Sequence, residues 1–285
     1  MDINNELEKK IISLALEEDE VENDVTTNSL YKFDSIISAY VIAKEDGVIS
    51  GTNIFRSTFQ TIDKSIEIKI LKNDGSKICN GDVVIEILGL KTSILKGERT
   101  ALNFLQRLSG IATLTKRFTD LIKDSKIKLL DTRKTTPGMR YLEKKAVRDG
   151  GGKNHRMNLK EMAMIKDNHI KMAGSISNAV EMVRKNTENI RIEVEVTSIA
   201  ELKEALSKNV DIIMLDNFDE NLIKEAVRLK NSIVKYEISG NVTLGNIRSK
   251  LHNGIDFISS GALTHSFRSL DLSLEISEES NGDQQ

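Results

Sequence analysis

Only one cysteine, Cys79, occurs in 285 residues. An intrachain disulfide framework is therefore impossible, and a cysteine-based zinc site lacks its ligands. Neither sign of charge dominates. Forty-one Lys and Arg stand against 43 Asp and Glu, a formal net charge of −2, which excludes a bulk basic surface for nucleic acid but not a local cationic pocket. No apolar run approaches the roughly 18 residues that span a bilayer. The opening MDINNELEKKIISLALEEDE is acidic and lacks the continuous apolar stretch of a signal peptide. Low-complexity linkers are absent too. What is present, 39% hydrophobic and 29% charged residues, suits a soluble folded protein. The expected setting is the reduced cytoplasm, and the length gives two domains or one large α/β unit.

Leu7, Ile11, Ala15 and Leu16 recur at helical spacing and predict an N-terminal helix. Three β-branched stretches follow, at 34–45, 65–72 and 82–89, with turns at NDG (73–75) and NGD (80–82). Ile66, Ile68 and Ile70 alternate with polar residues, the pattern of a sheet with one buried face. From Gly97, Leu102, Leu105, Leu108 and Ala112 predict a long helix, in which Ser109-Gly110 marks a close backbone approach or a kink. Beyond it, apolar strand-like pieces at 127–131, 162–166, 190–196, 211–216, 234–240 and 256–261 alternate with helical patterns at 175–186, 198–209 and 219–230. Repeated β–α units predict a parallel sheet, open or closed into a barrel. The polar tail SEESNGDQQ (277–285) reads as frayed.

Parallel α/β sheets carry their chemistry at the C-terminal ends of the strands. At those ends stand Thr132, Arg133 and Lys134; Lys166, Asp167, Asn168 and His169; Glu195; Asp216 and Asn217; Ser239, Gly240 and Asn241; and Ser260, Gly261 and Ala262. His155 and Arg156 sit in the intervening GGGKNHR. Taken singly, Arg133-Lys134 reads as solvated loop charge, and His169 and His265 as structural hydrogen-bonding residues. Glu193 and Glu195 share one strand face while Ile192, Val194 and Val196 take the other. The two acids then point into the barrel, where a cation or metal must meet them. Gly150-Gly151-Gly152 fits neither a dinucleotide-binding nor a P-loop pattern. Ser239-Gly240-Asn241 precedes TLGNIRSKL, read as a helix with Thr243 as N-cap, so free N–H groups there form a phosphate cradle. Several cations imply a polyanionic ligand, and acidic strand ends beside them imply Mg²⁺ shared with phosphates. No Ser-His-Asp set or thiol nucleophile is legible, which fits a transferase acting by positioning and electrostatics.

The strings GERTALNFLQRLSGIAT (97–113), DTRKTTPGMRYLEKKAVRDGGGKNHR (131–156), IKDNHI (165–170), EVEV (193–196), IMLDN (213–217) and SSGALTHS (259–266) closely resemble the quinolinate phosphoribosyltransferase family, in order and over nearly the whole chain. The resemblance implies an N-terminal α/β sandwich (1–110, joined by 267–285) and an incomplete, open α/β barrel of parallel strands (111–266). It implies transfer from 5-phosphoribosyl 1-diphosphate to quinolinate with Mg²⁺, giving nicotinate mononucleotide, diphosphate and CO₂. The family's substrate contacts fall on Arg99, Thr132, Arg133, Lys134, His155, Arg156 and Lys166. Its metal-side acids fall on Glu195 and Asp216, and its phosphate loops on Ser239-Gly240-Asn241 and Ser260-Gly261-Ala262. Lys134, Lys166, Glu195 and Asp216 take the catalytic roles. A homodimer, with or without higher assembly, is implied, with Arg99 reaching the neighbour's site; neither nucleic acid nor membrane is a partner. Asn158 and Asn241 depart from the family, each standing where glycine is usual.

Two other readings are open. A molybdenum-transport-associated homologue shares the fold with a different acceptor; IKDNHI and the full set of cations argue against it. Residues 74–89 have the glycine spacing of a biotinyl or lipoyl carrier but lack its central exposed lysine, so two strands with turns is the better reading.

Overall fold

A computed structural model describes residues 3–31 and 33–277. In chain order its elements are α1 (Ile3–Glu18), α2 (Val25–Leu30), β1 (Ile36–Ala43), β2 (Gly47–Val48), α3 (Thr52–Ile62), β3 (Glu67–Ile70), β4 (Lys77–Ile78), β5 (Val83–Leu90) and α4 (Lys91–Ile122). Next come β6 (Lys128–Leu130), α5 (Arg140–Asp149), β7 (Ala163–Ile165), α6 (Asp167–Ala173), α7 (Ile176–Asn186) and β8 (Ile192–Val196). The last are α8 (Ile199–Ser207), β9 (Ile212–Asp216), α9 (Glu220–Leu229), β10 (Lys235–Ser239), β11 (Phe257–Ser259), α10 (Ala262–His265) and β12 (Leu272–Ile276). Beyond Ser277, the tail read as frayed lies outside the described residues. No described helix is long and apolar enough to cross a membrane.

The described residues up to Leu114, 136–151 and those from Phe267 onward make one compact unit; 115–135 and 152–266 make the other. The cut at 110/111 drawn from the resemblance therefore falls inside the continuous helix α4, and α5 belongs with the first unit.

The first unit is built on an antiparallel sheet in the order β12-β1-β5-β3. Its buried face carries Ile37, Ala39 and Val41 of β1 and Ile85 and Ile87 of β5, packed against Phe55 and Phe59 of α3 and Leu102 and Leu105 of α4. The two phenylalanine rings meet edge to face at 5.1 Å, a favourable geometry for their quadrupoles. The chain's last strand, β12, pairs with the outer edge of β1. In α1 the buried stripe is Ile12 and Leu16, while Leu7 is exposed, so the predicted apolar face is rotated at its first turn. Gly110 is a close approach: α4 runs through it without a break, and a Cβ there would collide with the backbone carbonyl of Arg268.

The second unit holds six parallel strands in the order β6-β11-β10-β9-β8-β7. No described ladder joins β6 to β7, so the barrel is open. Strand interiors are apolar because helices cover their outer face: Ile192, Val194, Ile213, Leu215, Ile238 and Ile258 are all buried. Helices α7, α8 and α9 start on a side-chain cap. Ser175 accepts the N–H of Asn178 before α7, Ser198 that of Glu201 before α8, and Asp219 that of Leu222 before α9. These caps fix the helix starts; the parallel pairing of all six strands sets their C-terminal ends on one rim.

Candidate active site

The rim encloses a cavity of about 690 Å³, a volume suited to small-molecule ligands. Its lining includes Thr132, Arg133 and Lys134 after β6, His155 and Arg156 from the following connection, and Lys166 after β7. Glu195 of β8, Asp216 of β9, Ser239-Gly240-Asn241 after β10 and Ser260-Gly261-Ala262 after β11 complete the expected set. Arg99 alone of the expected residues is not in that lining; it is exposed on α4.

The cations are arranged for an anion. Arg156 Nη1 donates to the Met162 carbonyl at 2.8 Å, which fixes its guanidinium. The Nε atoms of Arg133 and Arg156 are buried without a hydrogen-bond partner among the described residues. Burial, and then the neighbouring Arg133, push Arg156 below its ordinary value. Two like charges with unmet donors are costly until an anion receives them.

The acids behave differently. Lys166 Nζ lies 3.7 Å from Glu195 Oε2. Burial raises Glu195 above the usual carboxylate range; Lys166 pulls it back, and Asp216 pushes it up again. Asp216 accepts a 2.8 Å bond from Asn217 Nδ2. Mutual repulsion between two half-buried carboxylates fits a shared divalent cation. Mg²⁺ binds through one or two protein carboxylates plus waters and phosphates, which Glu195 and Asp216 can supply. Among the described residues, the one three-membered group with metal-ligand spacing is instead His155, Glu193 and Glu237, all buried.

The phosphate loops depart from expectation in one respect. TLGNIRSKL is a turn followed by a short 3₁₀ segment, Ile247–Lys250, and Thr243 caps no helix. Instead Asn246 organises the loop: its Oδ1 accepts the Thr243 N–H at 2.8 Å and its Nδ2 donates to the Asn241 carbonyl at 2.7 Å. Gly240 and Asn241 have φ of 88° and 48°, the left-handed region where Asn is the most tolerated substitute for glycine. That explains the departure at 241. No such substitution is open at Gly240, where a Cβ would collide with the Asn217 side chain.

His169 has the structural role read from the sequence: its Nδ1 accepts the Lys166 N–H at 3.1 Å and so fixes the backbone that carries Lys166. The cation expected to meet Glu195 is Lys166, and Glu193 meets His155 at 3.0 Å. Glu237, also against His155 and in the cavity floor, was missed. Its signal was present in KYEIS, where Lys235, Glu237 and Ser239 share one strand face exactly as Glu193 and Glu195 do. Met164 and Met214 supply an apolar floor that was not anticipated.

Family profiles match both parts of the chain: "Quinolinate phosphoribosyl transferase, N-terminal domain" over residues 24–109 and "C-terminal domain" over 111–275. A probable nicotinate-nucleotide pyrophosphorylase [carboxylating] of Bacillus subtilis is 39% identical, covering 94% of this chain and 93% of the relative. A chloroplastic nicotinate-nucleotide pyrophosphorylase [carboxylating] of Arabidopsis thaliana is 42% identical, covering 95% and 83%. Among solved structures, the nicotinate-nucleotide pyrophosphorylase from Francisella tularensis superposes with a TM-score of 0.92 at 40% identity, covering 96% of this chain and 97% of that one. NadC from Streptococcus pyogenes does so with 0.91 at 40%, covering 98% and 100%. Two domain profiles in the right order, together with this likeness over nearly the full length, place the chain in the quinolinate phosphoribosyltransferase family.

Proposed function

We propose that this enzyme joins quinolinate to 5-phosphoribosyl 1-diphosphate, releasing diphosphate and CO₂ and leaving nicotinate mononucleotide for NAD synthesis in the cytoplasm. The observation that carries the reading is the pair of half-buried arginines whose buried Nε donors are unmet, in a cavity that also holds Lys134 and Lys166. Such a set suits a dicarboxylate. Arg clamps a carboxylate with two parallel hydrogen bonds, and Lys adds a point charge.

In this assignment Arg133 and Arg156, with His155 and Thr132, hold the acceptor ring so that its nitrogen faces the ribose C1. The loops at 239–241 and 260–262 receive the 5-phosphate through backbone N–H groups. Glu195 and Asp216 hold Mg²⁺, which when bound offsets the charge of the departing diphosphate. Their carboxylates also face the sugar as it gains oxocarbenium character and stabilise it electrostatically. Lys166 sits between Glu195 and the acceptor. Once the nitrogen is quaternary, the bond from ring C2 to its carboxylate breaks and CO₂ leaves; the electron pair stays on C2, stabilised by the adjacent positive nitrogen, until C2 takes a proton from water. The protein's part in that step is to hold the ring without over-stabilising the departing carboxylate. Arg99 completes the acceptor pocket from the second subunit of a homodimer.

Acceptor choice tests this reading against the homologue with a different acceptor. Nicotinate lacks one carboxylate and leaves a half-buried cation with its buried Nε unpaired, a cost of about 2–5 kcal/mol. Turnover with nicotinate is expected to be at least about thirtyfold poorer in kcat/KM than with quinolinate. Comparable turnover of the two would contradict the assignment.

A further inference from the structure

Under the cavity, the imidazole of His155 faces two carboxylates. Its Nδ1 accepts the backbone N–H of Arg156 at 2.8 Å, so Nδ1 carries no proton. The single proton of the neutral ring is then on Nε2, which lies 3.0 Å from Glu193 Oε2 and 3.6 Å from Glu237 Oε2. Both glutamates are 0% exposed. A neutral ring offers one donor and no charge, so two ionised glutamates would leave two buried negative charges facing each other. Burial opposes that state strongly.

The groups around the pair decide which acid keeps the proton. Glu193 has the guanidinium of Arg156 as its electrostatic partner. Glu237 faces Glu193 from β8, His155 from the connection, Ser259 from β11 and, more remotely, the carboxylate of Asp131 after β6. Its register partners on the neighbouring strands, Met214 and Phe257, carry no charge. Asp131 is committed elsewhere, accepting the His155 N–H at 2.8 Å and the Asn154 side chain at 2.6 Å. Among the described residues, no lysine or arginine acts on Glu237.

We propose that Glu237 is a neutral carboxylic acid in the working enzyme, a positioning residue whose proton keeps the cavity floor uncharged so that the cations above it act on the dianionic acceptor. Burial and the charge of Glu193 push its carboxyl up to about 8 even against the pull of a charged His155, so beside a neutral ring the proton is held at least as firmly near neutral pH. The spacing of the three side chains would also admit a metal ion. The ring excludes that reading, because an imidazole whose Nδ1 already accepts a hydrogen bond cannot offer a lone pair at Nε2 without becoming an imidazolate. The consequence is a proton linkage. A group whose proton favours an anionic ligand binds that proton more tightly in the complex. Acceptor affinity from this source is therefore full below about pH 8 and falls as pH rises through that value.

This inference rests on quinolinate being the acceptor, and the test separates the two. Quinolinate is titrated calorimetrically into the intact enzyme between pH 7 and 9, in buffers of different ionisation enthalpy. The expected results are a fraction of a proton taken up near pH 8, and a dissociation constant rising toward about tenfold per pH unit above it. Glu237→Gln, isosteric and always neutral, should abolish both the uptake and the slope, which a merely structural role would not do. Persistence of both in Glu237→Gln would overturn the proposal, as would a stoichiometric metal ion that Glu237→Gln loses. Where the variant fails to fold, infrared titration of the unaltered enzyme decides. A protonated-carboxyl C=O band should be present at pH 7 and vanish through about pH 8; its absence at pH 7 contradicts the proposal. If quinolinate binds at no pH, the acceptor reading fails, and the infrared result alone settles where the proton lies.

Discussion

Asp216→Asn should lower kcat/KM for the diphosphate substrate by about 10²–10³-fold while quinolinate affinity stays within about twofold. Asp216 is the last residue of β9, half-buried, and the first of the three acids, with Asp167 and Glu193, that raise Glu195 by repulsion. Removing its charge halves the anionic set available to a divalent cation. It leaves the acceptor cation Arg156 untouched, since its fixing contact runs to the Met162 carbonyl. The substitution is close to isosteric, so the strand end should keep its shape. Calorimetry with quinolinate and initial rates over a Mg²⁺ series separate the two effects. A collapse of quinolinate affinity with Mg²⁺ dependence intact would reverse the roles given to the acids and the cations.

A mixture of two inactive enzymes should recover activity. Arg99→Ala and Lys166→Ala are each expected to be nearly inactive as homodimers. Arg99 is exposed and absent from the cavity lining, whereas Lys166 lines it. If Arg99 acts on the partner's site, a mixed dimer holds one site lacking both groups and one intact site. Two-fold symmetry makes the exchange reciprocal. Random mixing yields about half mixed dimers, so activity should return to roughly a quarter of the unmodified enzyme. Subunits that exchange, shown by differential labelling, yet restore nothing would remove Arg99 from the shared site.

Much of this was legible because each signal was local. The six strands of the second unit were found because their outer faces are covered and their sequences run apolar. Once the strand ends were placed, the rim residues followed. The glutamates of β8 could be assigned to the interior because the pleat alternates strictly. Three features were not read for three different reasons. Helix α5 lies inside the stretch that carries the family motif, where the charged residues drew attention from the buried side of Leu142, Ala146 and Val147. Thr243 resembled an N-cap, but Asn246 makes the competing side-chain bonds that hold the segment as a turn. Glu237 followed the same alternation as Glu193, yet its importance is a tertiary fact. Only the assembled barrel sets it against His155 and another acid. The partner choices of His155, on which the proton assignment depends, involve a backbone N–H that sequence cannot aim.

The central claim is that this cavity couples phosphoribosyl transfer to decarboxylation of a dicarboxylate. The most direct measurement supplies quinolinate labelled in its 2-carboxylate together with 5-phosphoribosyl 1-diphosphate and Mg²⁺, and counts labelled CO₂ and diphosphate together. The account predicts equimolar release of the two, dependent on both substrates. Diphosphate released without labelled CO₂ would contradict it.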